Sequence, residues 1–144
     1  MKLKIIFIVA TLIILLVSKS NAQWTVQTVP DPKNNGGGFV SNPDKILKQT
    51  TVDKINEMLS YAKTDTMPIE VAVVVLQSIG SKVPKEFATE LFNYWKIGDK
   101  ILNNGLLILL IMDQRRVEFE TGYGIEHILT DAVCYQIQQE NMVP

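Results

Sequence analysis

The stretch 106–112, LLILLIM, is the most apolar run outside the N-terminus, and it constrains the chain more than any other feature. Seven residues cannot span a bilayer, and an unbroken aliphatic run of this length suits a strand buried on both faces. Asp113, Gln114 and Arg115 then form a polar tip. Beyond it Val117, Phe119 and Thr121 alternate with Arg116, Glu118 and Glu120, the period of a strand with one core face and one wet face. Two strands joined by so few residues form an antiparallel hairpin. Asn103, Asn104 and Gly105 therefore lie beside Gly122, Tyr123 and Gly124, and a site built from this stretch belongs at that end.

The residues upstream supply the partners of that hairpin. Thr50 can cap a helix whose apolar face is Val52, Ile55, Met58, Leu59 and Ala62, and the stretch 64–68 ends it. The β-branched run 69–76 reads as a second buried strand. After a loop at 78–81, Pro84 opens a helix with Phe87, Ala88, Leu91 and Trp95 on one face, and Gly98 stops it. Strand, helix and strand in this order make a right-handed βαβ unit with parallel strands. Asp65, Asn103 and Gly122 then share one end of the sheet, and 78–81 and 113–116 share the other. Thr130 caps a last helix through Val133, Cys134 and Ile137. The expectation is an α/β chain with one small domain, a βαβ unit plus an antiparallel hairpin forming a mixed sheet flanked by helices.

Residues 1–22 place Lys2 and Lys4 before thirteen mostly aliphatic residues, 5–17, and end in Ser20-Asn21-Ala22. That is the pattern of a secretory signal peptide cut before Gln23, with a membrane anchor as the competing reading. Loss of three lysines and no acid moves the net charge from −1 to −4. An exported, weakly acidic domain of about 120 residues has no electrostatic footprint for nucleic acid, and it can bury a core of its own. The single cysteine, Cys134, is read as a buried free thiol, the alternative being a partner beyond Pro144. Residues 23–39 mix prolines, asparagines and three successive glycines without periodicity and read as a flexible lead-in. Asp31 to Gly36 fails as a calcium loop, since Lys33 stands at its third position and no acid closes it.

Asp99, Asn103, Asn104, Glu126 and Asp131 converge on the predicted end, and such oxygens suit calcium or another divalent cation. Asn103-Asn104-Gly105 also reads as a tight turn and Asp131 as a helix N-terminal acid. Glu118 and Glu120 read as a solvated face that discourages edge pairing. Gly122-Tyr123-Gly124 serves either a ligand's approach or a bend. His127, the single histidine, excludes paired-histidine metal sites. The sequence holds no Gly-x-Ser-x-Gly elbow, Walker loop or Cys-x5-Arg phosphate loop.

Five motifs in one order, Val40-Ser41-Asn42-Pro43, 87–98 (FATELFNYWKIG), 103–107 (NNGLL), 118–124 (EFETGYG) and Leu129-Thr130-Asp131, resemble the TPM domain family. The resemblance covers 40–144 and implies a small sheet flanked by helices. It also implies divalent-ion binding through acidic loops in some members, accessory roles towards receptors and membrane proteins, and phosphatase activity in at least one branch. Asn42 and Asn103 stand where the family commonly has Asp, and each change removes a charge from a hard-cation site. The expected function is a divalent-cation-modulated binding or accessory module for extracytoplasmic or membrane proteins. A weak metal-dependent acid phosphatase is the alternative.

Overall fold

A computed structural model of the chain describes residues 23–62 and 68–141. The expected leader and most of the expected helix stop at 64–68 lie outside the described residues. Strands β1 (Val40–Ser41), β2 (Glu70–Leu76), β3 (Gly105–Ile111) and β4 (Arg116–Thr121) form one sheet in that order. Three helices accompany it among the described residues: α1 (Gln49–Ala62), α2 (Pro84–Trp95) and α3 (Asp131–Asn141). β2 and β3 pair in parallel from Glu70↔Gly105 to Leu76↔Ile111, and β3 and β4 pair antiparallel from Leu106↔Thr121 to Ile111↔Arg116. This is the mixed α/β sheet that the two periodicities predict.

The core lies under α2. Ala72, Val74 and Leu76 from β2 and Leu107, Leu109 and Ile111 from β3 present alternate side chains to Phe87, Ala88, Leu91 and Trp95. Pro84 occupies the first turn, where its missing N–H costs no hydrogen bond. The left-handed cap falls two residues before the glycine. Lys96 takes the left-handed cap conformation at φ 53° and its N–H reaches Asn93 O, while Gly98 (φ 98°) makes the next bend, against Gly105.

Three expectations are corrected by packing. Residues 23–39 are folded onto the domain, with Val26 and Val29 buried in the main core and Trp24 packed beside it. The Trp24 indole N–H donates to Asp44 Oδ2 at 2.8 Å, and the same oxygen accepts the Gln77 N–H at 2.7 Å. A short run with no period has no signature in sequence when it is held by two valines and one tryptophan. β1 was hidden for the same reason: its two residues pair in parallel with Val73 and Val74, and Ser41 Oγ donates to Pro30 O at 2.7 Å. Met58, expected on the inner face of α1, is 70 % exposed, whereas Val52 is buried.

The third correction concerns β4. Cross-strand partners share a face, so Glu118 and Glu120 lie on the same side as Leu109 and Leu107, the side that α2 covers. Glu118 is only 8 % exposed, while Val117, Phe119 and Thr121 are half-buried. The period was right and the dry face was not. Arg116 Nη2 lies 2.9 Å from Glu118 Oε1, and Lys85 and Thr89 of α2 reach Glu120 Oε2 at 2.7 and 3.0 Å. Paired in this way, a carboxylate can lie beneath a helix. The outward carbonyls of this edge strand are also occupied, Phe119 O by Lys85 Nζ at 3.1 Å and Val117 O by Gln138 Nε2 of α3 at 2.7 Å. Side chains thereby block the edge against a further strand.

If the lead-in is part of the core, Val26→Ala with Val29→Ala lowers stability by about 3 kcal/mol, and a denaturation curve reads this directly. A loss within experimental error would return 23–39 to the status of a tether.

Candidate functional site

The parallel pairing brings the start of β2, the start of β3 and the exit of β4 to one end of the sheet, as the hairpin argument requires. The loop between α2 and β3 is closed there by its own side chains. Asp99 Oδ1 accepts the N–H groups of Ile101 and Leu102 at 2.7 and 2.9 Å, and Asn103 N–H donates to Asp99 O at 2.8 Å. These two amides, Leu102 first, hold the Asp99 carboxyl below its ordinary range, against a smaller opposing effect of desolvation. Asn104 does two jobs that only an amide can do together: its Oδ1 accepts the Asp99 N–H at 2.7 Å and its Nδ2 donates to Pro68 O. Asn103 sits at φ 47°, a left-handed position that asparagine tolerates, and donates from Nδ2 to Ile101 O at 3.3 Å.

The β4 exit leans on this loop. Gly124 N–H donates to Asn103 O at 2.9 Å, and a Cβ on Gly124 would lie 1.8 Å from Leu102 O. A Cβ on Gly122 would lie 2.2 Å from Asn103 O. The Gly-Tyr-Gly motif thus serves close approach of backbone to backbone, the bend reading rather than the ligand reading. Tyr123 between them is 82 % exposed and Ile101 is 87 % exposed, with Leu102 also exposed beside Gly124.

Four of the five predicted site residues are divided between two concavities. Asp99 and Asn104 line a cleft of about 510 Å³ with Asp31, Lys33, Phe39, Glu70 and Trp95. Glu126 and Asp131 line a groove of about 380 Å³ between β4 and α3, with Glu118, Glu120, Lys85 and Cys134. Asn103 lines neither; its carbonyl joins the loop to the exit strand. Sequence reasoning set Asp31 aside, because its segment fails as a calcium loop and looked like a tether, and missed Glu70, which lay inside the strand run 69–76. Lys33 pairs with Glu70, and Asp31 closes its own turn through Lys33 N–H and Asn34 Nδ2, each at 2.9 Å. Cys134 is free and buried; burial, then the charge of Asp131, push its thiol up.

A calcium-type ion needs several oxygen ligands free to converge on it. Among the described residues no three His, Cys, Asp or Glu side chains are grouped so as to hold a metal. Asp99, Asn103 and Asn104 all direct polar side-chain atoms to backbone groups, so they do not form a ready cage. The carboxylates of Glu126 and Asp131 stand exposed at the mouth of the groove.

Two outcomes are expected. Gly124→Ala forces overlap with Leu102 O and lowers stability by more than about 2 kcal/mol, read by thermal or chemical unfolding. Because the folded-state carboxyl of Asp99 is depressed, its contribution to the loop is complete above the ordinary value of 3.8 and is lost as pH falls through the lowered folded value. An NMR titration should place the inflection of the Ile101 and Leu102 amides below 3.8, and Asp99→Asn should abolish it. An inflection at or above that value would refute the assignment.

Comparison with known proteins gives concordant results. The chain is similar to the N-terminal domain of a protein from P. gingivalis determined by solution NMR, with 33 % identity and a TM-score of 0.76 over 85 % of this chain and 78 % of that one. No curated protein matches it. The TPM domain matches residues 40–144, which is more than half of the sequence, and the chain belongs to the TPM domain family.

Proposed function

We propose that this protein is an exported, divalent-cation-modulated binding or accessory module for extracytoplasmic or membrane proteins. The observation that carries the reading is the finish of the cleft end: a loop locked by Asp99 and two asparagines, tied to β4 through two glycines, that displays Ile101, Leu102 and Tyr123 to solvent. Side chains exposed on a backbone that is already fixed lose little conformational freedom on binding. A tyrosine flanked by aliphatic groups supplies both apolar area and a hydrogen-bonding tip. The cleft beside them adds Asp31, Glu70 and Asp99 as polar contacts, with the Trp95 ring in its wall.

The ion reading rests on the exposed carboxylates that follow Tyr123. Glu126 and Asp131 can hold a divalent cation jointly with water, at affinities of about 10⁻⁴ to 10⁻³ M, in the range of weak oxygen-ligated sites. Neutralising these acids would change the charge around the displayed side chains without changing the fold. Hydrolysis finds less support, because Asp99 spends a carboxylate oxygen on backbone amides and the cysteine is buried.

The test is a calcium titration of the chain from Gln23 onward, followed by two-dimensional NMR, with phosphate-ester turnover measured on the same sample. Saturable shifts confined to 99–104 and 122–135, at about millimolar calcium and without turnover, are expected. Turnover that a chelator removes would replace this reading with the phosphatase one. Absence of both shifts and turnover would remove the ion from the proposal.

A further inference from the structure

The end of the sheet opposite the cleft is built from three loops that are tied to one another. Residues 42–48 join 77–83 through Asp44 Oδ2, which accepts the Gln77 N–H, and the hairpin tip joins the same loop through Gln114 Nε2, which donates to Gly80 O at 3.0 Å and Lys82 O at 3.3 Å. Asp113 N–H also reaches Gln77 O at 3.1 Å. These loops carry Lys45, Lys48, Lys82, Arg115 and Arg116, all exposed, against two acids of their own, Asp44 and Asp113, and Glu86 in the adjoining first turn of α2. One of the two acids, Asp44, is engaged with Gln77 and with the Trp24 indole. Arg116 shares its charge with the buried Glu118, and Lys82 Nζ sits 5.3 Å above the Phe87 ring. Val83 and Met112 project from the same loops as exposed apolar side chains.

The cleft end has the opposite sign. Asp31, Glu70, Asp99, Glu126 and Asp131 outnumber Lys33, Lys96 and Lys100 there. Charge is therefore polarised along the strands. The two ends are separated by the seven residues of β2, about 23 Å at 3.3 Å per residue. At physiological ionic strength the screening length is about 8 Å, so the acids of one end do not cancel the cations of the other.

The described chain begins at this cationic end. Gln23 packs against Gly80, whose Cβ would lie 2.6 Å from Gln23 Oε1, and Trp24 N–H donates to Ser78 O at 3.2 Å. The aliphatic leader expected at 5–17 therefore joins the domain at the cationic end. Cleavage before Gln23 would leave an ammonium group at that same end.

We propose that this cationic end docks on the surface of an anionic phospholipid bilayer, with Lys45, Lys48, Lys82 and Arg115 on lipid phosphates and Val83 and Met112 at the boundary of headgroups and acyl chains. The cleft and the side chains displayed beside it then point away from the membrane. Basic groups near an anionic leaflet act additively and are screened by salt, so the interaction is reversible and salt-sensitive. This inference does not depend on the ion or on the partner proposed above.

The test floats the chain from Gln23 onward, which holds every described element, with phosphatidylcholine vesicles and with vesicles containing about one-third phosphatidylglycerol. Partition into the anionic vesicles should exceed that into phosphatidylcholine by at least about tenfold and vanish at about 0.5 M salt. Lys82→Glu with Arg115→Glu should lower it about tenfold or more, with circular dichroism confirming the fold. Lys45→Gln with Lys48→Gln provides an independent reading should the first pair unfold. Ile101→Ser with Tyr123→Ser, at the cleft end, should leave partition unchanged. Equal partition into both vesicles, no partition into either, or charge variants that bind like the parent would overturn the proposal. Loss of partition in the Ile101 and Tyr123 variant would overturn it too, by placing the docking face at the other end.

Discussion

The seven-pair parallel ladder between β2 and β3 is the constraint on which the rest of the molecule depends. Parallel strands cannot be joined by a tight turn, so the chain between Leu76 and Gly105 must cross the sheet, and α2 is that crossover. The crossing puts Phe87, Ala88, Leu91 and Trp95 over alternate residues of both strands and makes the main core. It also decides what meets at each end. Both strands begin at the end where the 98–104 loop closes, and the antiparallel β4 leaves at that same end. A cleft, a locked loop and a displayed tyrosine come together there because the chain has no other way to connect these strands.

What was legible in the sequence follows from period and length. The run 106–112, the β-branched run 69–76 and the face of α2 each carry enough residues for their repeat to be seen, and the order of these three elements implies the parallel pairing. β1 has two residues, too few to show a period. The lead-in 23–39 is held by isolated contacts from Trp24, Val26 and Val29, and a contact made at one residue leaves no pattern. For β4 the alternation was plain, but period alone does not say which face is dry. Lys85 and Thr89, more than thirty positions away, settle that by pairing with Glu120. Sequence spacing cannot show such a partner.

The candidate site was legible in part, and for a related reason. The end of the sheet was correct, since topology alone determines it. Its membership was less so. Asp99 and Asn104 share the cleft with Asp31 and Glu70, which arrive from the lead-in and from the first residue of β2, whereas Glu126 and Asp131 belong to the groove against α3. A single convergence predicted from topology becomes two concavities once the side chains have direction. Between them runs the contact of Gly122 and Gly124 with the loop carbonyls, which leaves no room for a Cβ and hence no room for a ligand at that point.

Asn42 and Asn103, the two positions where the resemblance leads one to expect aspartate, show how an amide builds local structure. Asn42 lies at the end away from the cleft, where its Oδ1 accepts the N–H groups of Ile46 and Leu47 and its Nδ2 donates to Leu47 O at 2.9 Å. Asn103 donates from Nδ2 to Ile101 O inside the loop that Asp99 closes. In both places the amide nitrogen fills a role that a carboxylate cannot, because an ionised Asp has no proton to donate. An aspartate at either position would leave a carbonyl without that donor and set a charge against it. The two asparagines thus act at opposite ends of the sheet and by the same means, turning a short polar side chain inward to hold a turn. Asp99 does the equivalent work as an acceptor. The acids that remain free to meet an ion or a partner are those on the rim, and the loop they surround owes its fixed shape to the amides.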